Sequence, residues 1–145
     1  MFLKDQRFAC ALTLLRRREY VAADAEFTAL LEAASPGAPE RAFLLNKRGV
    51  ARIGMERRDL AARDFEAALE ARPAYAPALT NLGNLFFESG EVGAAIERYE
   101  RAIAFAPDYA VAYLNLGAAY KRAGRLGDAV RAIRQAERLE RRAKR

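Results

Sequence analysis

The stretch that decides the fold is residues 76–109, APALTNLGNLFFESGEVGAAIERYERAIAFAPDY. In its first half, leucine, glycine and phenylalanine recur at three- and four-residue intervals, which is the spacing of one face of a helix. Ser89 and Gly90 interrupt this pattern as a turn does. A second helical stripe then runs to Pro107, which lacks the N–H that a continuing helix needs. The stretch therefore predicts two helices joined by a tight turn.

The same pattern returns along the chain with a period of 34 residues, the spacing of Gly49, Gly83 and Gly117. The other positions that keep this period are Ala61, Ala95 and Ala129; Ala68, Ala102 and Ala136; Phe65, Tyr99 and Ile133; and Pro73 and Pro107. Small residues that recur in this way let two helix backbones approach closely, while the larger side chains fill the space beside them. The period predicts an array of helix hairpins that share a core with their neighbours.

With these motifs the chain resembles the tetratricopeptide repeat family. The third repeat carries the family pattern as Leu79, Leu82, Gly83, Phe86, Ala95, Tyr99 and Pro107. The resemblance implies an all-α fold, a right-handed superhelical solenoid of helix–turn–helix hairpins that forms a single domain over residues 1–145. The expected repeats are 4–37, which is degenerate, 42–75, 76–109 and 110–143, the last of which ends in a basic cap helix. A short insertion, residues 38–41, separates the first repeat from the second.

In this family the first helix of each hairpin lines a concave groove that receives a peptide or a helix of a partner protein. The side chains expected in that groove are Asn46, Val50, Asn81, Asn84, Phe87, Leu114, Asn115 and Lys121. Asparagine offers both a donor and an acceptor, so these residues could hold a peptide backbone. The alternative interpretation is that asparagine is simply common at these positions of the repeat.

An apolar stripe is the second feature of the expected groove. It comprises Phe8, Leu12, Leu15, Phe43, Val50, Ile53, Phe87 and Leu114. Such a surface typically marks a partner site, and an amphipathic helix could lie in it. Alternatively, these residues are buried by the terminal helix or by a second copy of the chain.

Positive charge is concentrated at the end of the chain. The net charge is +6, and residues 110–145 alone carry ten basic and three acidic side chains. This pattern predicts a solvated cap helix, with an acidic partner surface as the alternative. Nucleic-acid binding is not expected, because no aromatic residue follows Tyr120 to stack on bases.

Arg48 and Arg52 stand one helical turn apart on a face that should pack inward. We predict that they pair with carboxylates such as Glu26, Asp64 or Glu66. The competing hypothesis is an open partner surface on the second repeat.

The composition argues against catalysis. The chain contains no histidine and a single cysteine, which removes imidazole chemistry and nearly every zinc site. Cys10 lies on the apolar stripe of the first helix, where a buried, inert thiol is expected. No enzymatic activity, metal or cofactor is predicted. No apolar run reaches the roughly 20 residues of a membrane span, so no membrane insertion is expected.

The predicted function is therefore that of an interaction scaffold or adaptor with a protein or peptide partner. The alternatives are a self-associating assembly scaffold, which would be a homo-oligomer, and, less favoured, a regulator that contacts nucleic acid through the basic C-terminus. A cytoplasmic location follows from the absence of targeting signals. The excess of arginine (21) over lysine (4) is typical of a GC-rich bacterial genome.

Overall fold

The computed structural model describes residues 2–145, with side chains from Asp5 onward. This part of the chain forms eight helices and no strands, which confirms the all-α prediction. The helices are α1 (Phe2–Arg16), α2 (Tyr20–Ala33), α3 (Arg41–Gly54), α4 (Arg58–Ala71), α5 (Ala76–Glu88), α6 (Val92–Phe105), α7 (Ala110–Arg122) and α8 (Leu126–Ala143). Two compact units divide them: α1–α4 belong to a unit that ends at Pro73, and α5–α8 belong to one that begins at Ala74.

All four hairpins turn in the same way. The second residue after the first helix of each hairpin adopts a left-handed backbone. These residues are Arg18 (φ 60°), Glu56 (φ 60°), Gly90 (φ 83°) and Gly124 (φ 78°). In the third hairpin, the N–H of Gly90 donates to the oxygen of Phe87, and that of Glu91 donates to the oxygen of Phe86. This pair of bonds is the Schellman motif, which satisfies carbonyls that the helix end would leave without a donor. The turn predicted at Ser89 and Gly90 is therefore present, and three further turns share its geometry.

The recurring glycines are explained by the ring or branched side chain that covers them. A Cβ on Gly83 would lie 2.6 Å from Cε1 of Tyr99, and one on Gly49 would lie 2.5 Å from Cε1 of Phe65. Both rings are almost fully buried. In the second, third and fourth hairpins, the two helices therefore meet where a glycine of the first lies against a large side chain of the second.

Each unit has its own core. In the second unit, Ala95, Ile96 and Tyr99 of α6 pack with Leu116 and Ala119 of α7. In the first unit, the largest fully buried side chains are Phe27, Leu44 and Phe65. Between α2 and α3 the chain needs seven residues, against four between α4 and α5 or between α6 and α7. The predicted insertion is residues 38–41; residues 38–40 lie at the end of this longer connection, and Arg41 begins α3.

Candidate partner-binding surface

One face of α7 presents apolar side chains to solvent. Val111 and Leu114 are each 49% exposed, although both are large and apolar. Ala118 and Lys121 continue the same face and are exposed as well. These side chains recur at three- and four-residue spacing, so they form one stripe. We call Val111, Leu114, Asn115, Ala118 and Lys121 the α7 stripe.

Asn84 of α5 joins this stripe to the neighbouring hairpin. Its side-chain oxygen accepts a hydrogen bond from Nδ2 of Asn115 at 3.0 Å and another from the hydroxyl of Tyr99 at 2.5 Å. An amide oxygen has two lone pairs, so these two donors occupy it fully. Asn84 and Asn115 therefore offer a ligand fewer free donors and acceptors than two unpaired asparagines would.

The same cluster changes the acidity of Tyr99. Burial, and secondly the nearby carboxylate of Glu88, raises the pKa of the Tyr99 hydroxyl to about 12. Both effects disfavour the phenolate. The hydroxyl consequently remains a donor to Asn84 across the physiological range.

The rim of the surface is basic and aromatic. The guanidinium of Arg122 lies 5.1 Å from the ring centre of Phe87, a cation–π contact that joins the end of α7 to α5. Phe87 and Asn81 are half-buried, so each shows only part of its side chain to solvent. The second unit thus carries six of the eight predicted contact residues on α5 and α7, of which Asn84 and Asn115 are in direct contact.

The two predicted contact residues of the first unit are placed differently. Val50 of α3 is half-buried, but Asn46 is only 3% exposed, so its side chain offers almost nothing to a ligand. The apolar side chains of this unit also cover one another. Phe8 of α1 packs on Phe43 with 5.4 Å between ring centres, and the ammonium of Lys47 lies 5.4 Å from the centre of the same ring. Some side chains of the apolar stripe predicted for α1 and α3 therefore pack against each other within the first unit.

Arg48 and Arg52 do pair with carboxylates. Arg48 donates twice to Asp64, from Nη2 to Oδ1 at 2.7 Å and from Nε to Oδ2 at 2.9 Å. Arg52 donates to Asp64 at 3.1 Å and to Asp24 of α2 at 2.8 Å. A further bond from Arg48 reaches the hydroxyl of Thr28 at 3.2 Å. The predicted partner Asp64 is confirmed, and the arginines are occupied within the first unit rather than open to a partner.

The other two predicted partners were wrong. Glu26 is paired with Arg7, and Glu66 is exposed on the far side of α4. Sequence reasoning missed Asp24 and Thr28, which lie one turn apart on α2. Their spacing matches that of Arg48 and Arg52, so the two pairs can meet across the α2–α3 contact. The hydrogen bond to Asp64 is the largest effect that raises the pKa of Arg48, whose guanidinium stays charged.

Cys10 is exposed, contrary to the prediction of a buried thiol. Its neighbour Ala11 is fully buried instead, because α1 packs through a face about one residue away from the one predicted. Within the described residues, no group of three or more acidic or cysteine side chains could hold a metal ion. Every helix in that part of the chain is too short or too polar to span a bilayer.

The basic C-terminal helix carries a cleft of about 490 Å³ near its end. The lining side chains are Gln135, Arg138, Arg141, Arg142 and Arg145. Near the start of this helix, Asp128 pairs with Arg125 at 2.8 Å and with Arg131. These arginines lower the pKa of the Asp128 carboxyl, with the hydrogen bond from Arg125 as the largest effect.

Family models match the second half of the chain. One model of the TPR repeat covers residues 83–124, and a second, of the tetratricopeptide repeat, covers residues 110–142. No curated protein matches the sequence.

Solved structures share the fold at low sequence identity. A crystal structure of MamA is 23% identical with a TM-score of 0.78, over 98% of this chain and 81% of that one. MamA from Desulfovibrio magneticus RS-1 is 21% identical with a TM-score of 0.74, over 95% of this chain and 76% of that one. BtubC from P. vanneervenii is 21% identical with a TM-score of 0.82, and the match covers 98% of this chain but 65% of that one. At these identities the likeness concerns the fold alone.

Proposed function

We propose that this chain, which carries tetratricopeptide repeats, is an interaction scaffold or adaptor that binds a peptide or a short helix of a partner protein on its α5–α7 surface. The residues proposed to contact the ligand are Asn81, Asn84, Phe87, Leu114, Asn115 and Lys121. In the first unit, Val50 is a separate candidate for partner contact, while the buried Asn46 is left out.

The observation that carries this proposal is the exposure of Val111 and Leu114. Single apolar side chains on a surface are ordinary, but a contiguous apolar patch bordered by polar groups typically marks a binding site. Here two half-exposed aliphatic residues lie one turn apart on α7, with Ala118 below them. A small residue in the middle of the stripe leaves room for a ligand side chain to approach the helix.

The polar groups around this patch suit a ligand with a directional backbone or a carboxylate. Asn115 uses one N–H for Asn84, and its amide retains a carbonyl oxygen and a second N–H. Lys121 is exposed at the end of the stripe, where a carboxylate of the ligand could pair with it. An apolar anchor with a few polar contacts around it is the usual composition of a recognition site.

The experiment that tests the proposal is site-specific photo-crosslinking in the source cells. A photoreactive amino acid replaces Leu114 in one variant and the exposed Glu97 of α6 in a matched control. We expect position 114 to capture a heterologous protein that position 97 does not capture. A competing copy of the wild-type chain should reduce this product, whereas a competing copy with Val111→Asp and Leu114→Asp combined should not.

Two outcomes would overturn the proposal. Equal capture from both positions would mean that the α7 stripe has no special role. Capture of only the chain itself at position 114 would favour the self-associating scaffold instead. Circular dichroism of the double variant provides the fold control, since both altered side chains are exposed.

A further inference from the structure

The outer face of α8 corresponds, one repeat later, to the face of α6 that packs against α7. Because of the 34-residue period, Leu126 and Val130 of α8 occupy the positions of Val92 and Ile96 in α6. In α6 this face receives α7, and Ile96 is only 9% exposed. In α8 the exposure rises to 46% for Val130 and 61% for Leu126. Two of the apolar positions that accept the next helix are thus retained on α8, whereas the counterpart of Ile103 is Glu137. No described helix covers this face.

The polar positions of this face have changed sign. Glu100 of α6 accepts a hydrogen bond at 3.0 Å from the hydroxyl of Tyr120 on the docked α7. Its counterpart on α8 is Arg134. From Arg134 to the last residue the chain carries six cations and two carboxylates, Glu137 and Glu140. Four of those cations line the 490 Å³ cleft. A helix that offers carboxylates therefore suits this face better than a copy of α7 would.

Charge also argues against a second copy of the chain as the occupant. In a head-to-tail contact the first helix of the copy would lie on α8. That helix carries Lys4, Arg7 and Arg16 against a single carboxylate, Asp5, so it would bring like charge to the arginines. The net charge of +6 on each copy adds to this repulsion.

The α6–α7 contact also gives the direction of the docked helix. Only four residues separate the end of α6 from the start of α7, and such short connections make neighbouring helices antiparallel. A helix that follows this geometry on α8 has its first turns beside the arginine cleft and its last turns over Leu126 and Val130. Acidic residues in a first turn are also favoured by the helix dipole.

We propose that the outer face of α8, formed by Leu126, Val130, Arg134, Arg138 and Arg141, docks an amphipathic helix of another protein that is acidic in its first half and apolar in its second. This surface is separate from the α7 stripe. Its apolar part supplies the contact area, and its arginines select the partner by charge.

The test uses a fluorescent helical peptide of about 18 residues, the length of α8, and the full chain. The peptide has glutamates in its first two turns and leucines at three- and four-residue spacing in its last two turns. A matched peptide has glutamine in place of each glutamate. Fluorescence anisotropy should show that the glutamate peptide binds at least about tenfold more tightly, since several surface ion pairs act together. The difference should shrink as salt is added.

Substitutions in the chain test whether the peptide binds the outer face of α8. Leu126→Ser with Val130→Ser, and separately Arg138→Glu with Arg141→Glu, should each abolish measurable binding. The matched control is Leu114→Ser, which alters a leucine of comparable exposure on the α7 stripe and should leave the affinity unchanged.

Four results would overturn the inference. In the first, the glutamate peptide does not bind. In the second, both peptides bind equally. In the third, Leu114→Ser abolishes binding while the α8 variants still bind the peptide. The fourth is a dimer in sedimentation equilibrium that Leu126→Ser with Val130→Ser dissociates, because a second copy would then cover the face. Loss with Leu114→Ser alone would move the peptide to the α7 stripe and leave the function proposed for that stripe standing.

Discussion

At the scale of single residues, the fold depends on a glycine that lies against a buried ring. Gly83→Ala adds a methyl group 2.6 Å from Cε1 of Tyr99, a ring that is 1% exposed and held by Asn84. Alanine gains up to about 1 kcal/mol in helix propensity over glycine. Overpacking a rigid core costs about 1–3 kcal/mol. We expect the overpacking to prevail, so that the free energy of unfolding measured in urea falls by about 1–2 kcal/mol.

Gly93→Ala is the matched control, since nothing lies within 4 Å of its added Cβ. Only the propensity effect remains there, and the free energy of unfolding should rise by less than about 1 kcal/mol. If both substitutions stabilised the chain, the Gly83–Tyr99 contact would not be the reason for the repeating glycine.

The Tyr99 hydroxyl gives the stability a dependence on alkaline pH. Its pKa is raised from 10.0 to about 12, so between these values the unfolded chain loses a proton that the folded chain keeps. The free energy of unfolding therefore falls as the pH rises through this window, by up to about 1.4 kcal/mol per pH unit for this group. Urea titrations at a series of pH values measure the slope.

Tyr99→Phe removes both the titration and the hydrogen bond to Asn84. Below pH 10 the variant should be less stable than the wild type by a constant amount, about 1 kcal/mol for a buried hydrogen bond. Above pH 10 this difference should shrink and then change sign, because the wild type loses up to about 1.4 kcal/mol per pH unit that the variant does not lose. A difference that stayed constant up to pH 12 would mean that the hydroxyl titrates at its ordinary pKa.

At the scale of elements, the hairpin turns differ in how well their residues suit the left-handed backbone. The third and fourth turns use Gly90 and Gly124, but the second uses Glu56 at φ 60°. A side chain in this conformation costs about 1–2 kcal/mol relative to glycine. Glu56→Gly should therefore raise the free energy of unfolding by about 1 kcal/mol, after the added freedom of glycine in the unfolded chain is subtracted.

Gly90→Ala is the reciprocal experiment and should lower the stability by a similar amount. Nothing lies within 4 Å of the added Cβ, so the effect would come from the backbone alone. Opposite signs for the two substitutions, measured by thermal unfolding, are the expected result. A destabilised Glu56→Gly variant would show that the glutamate side chain itself supports the turn.

The contact of α2, α3 and α4 depends on one buried carboxylate. Asp64 is 3% exposed and accepts hydrogen bonds from both Arg48 and Arg52. Asp64→Ala leaves two half-buried guanidinium groups with too few acceptors, and breaking a buried pair in this way costs about 3–5 kcal/mol. Glu66→Ala, on an exposed position of the same helix, should change the free energy of unfolding by less than about 0.5 kcal/mol. Urea denaturation compares the two, and equal effects would contradict a structural role for the cluster.

The helices and their contacts could be predicted from the sequence where the repeat is regular. The glycine and aromatic positions recur in fixed register, so the helices and their packing could be predicted. Arg48 and Arg52 occupy positions where the third and fourth repeats have leucine or an aromatic residue, and that conflict correctly indicated an ion pair. Asp24 could not be predicted, because the degenerate first repeat and the insertion after it leave the face of α2 undetermined.

The candidate surface was predictable only in part for a similar reason. Helical spacing places Asn46 and Leu114 on equivalent stripes, yet one side chain is buried and the other is half exposed. Spacing gives the direction of a side chain, whereas burial depends on what neighbouring helices bring against it. The pairing of Asn84 with Asn115 is likewise a contact between repeats that no single repeat reveals.

At the scale of the whole molecule, the two compact units should respond separately to local damage. Within each unit, packing contacts join consecutive helices, and in the second unit they also join α5 to α7. In such an array, stability is a sum of repeat terms and nearest-neighbour terms, so a defect is felt most in its own repeat and the next. Asp64→Ala should therefore raise amide hydrogen exchange strongly in α2–α4 and little in α7 and α8. Exchange followed by mass spectrometry on the full chain measures this difference, with Glu66→Ala as the control. A uniform rise across all eight described helices would mean instead that the chain unfolds as one cooperative body, and that α7 and α8 are no more stable than the cluster at Asp64.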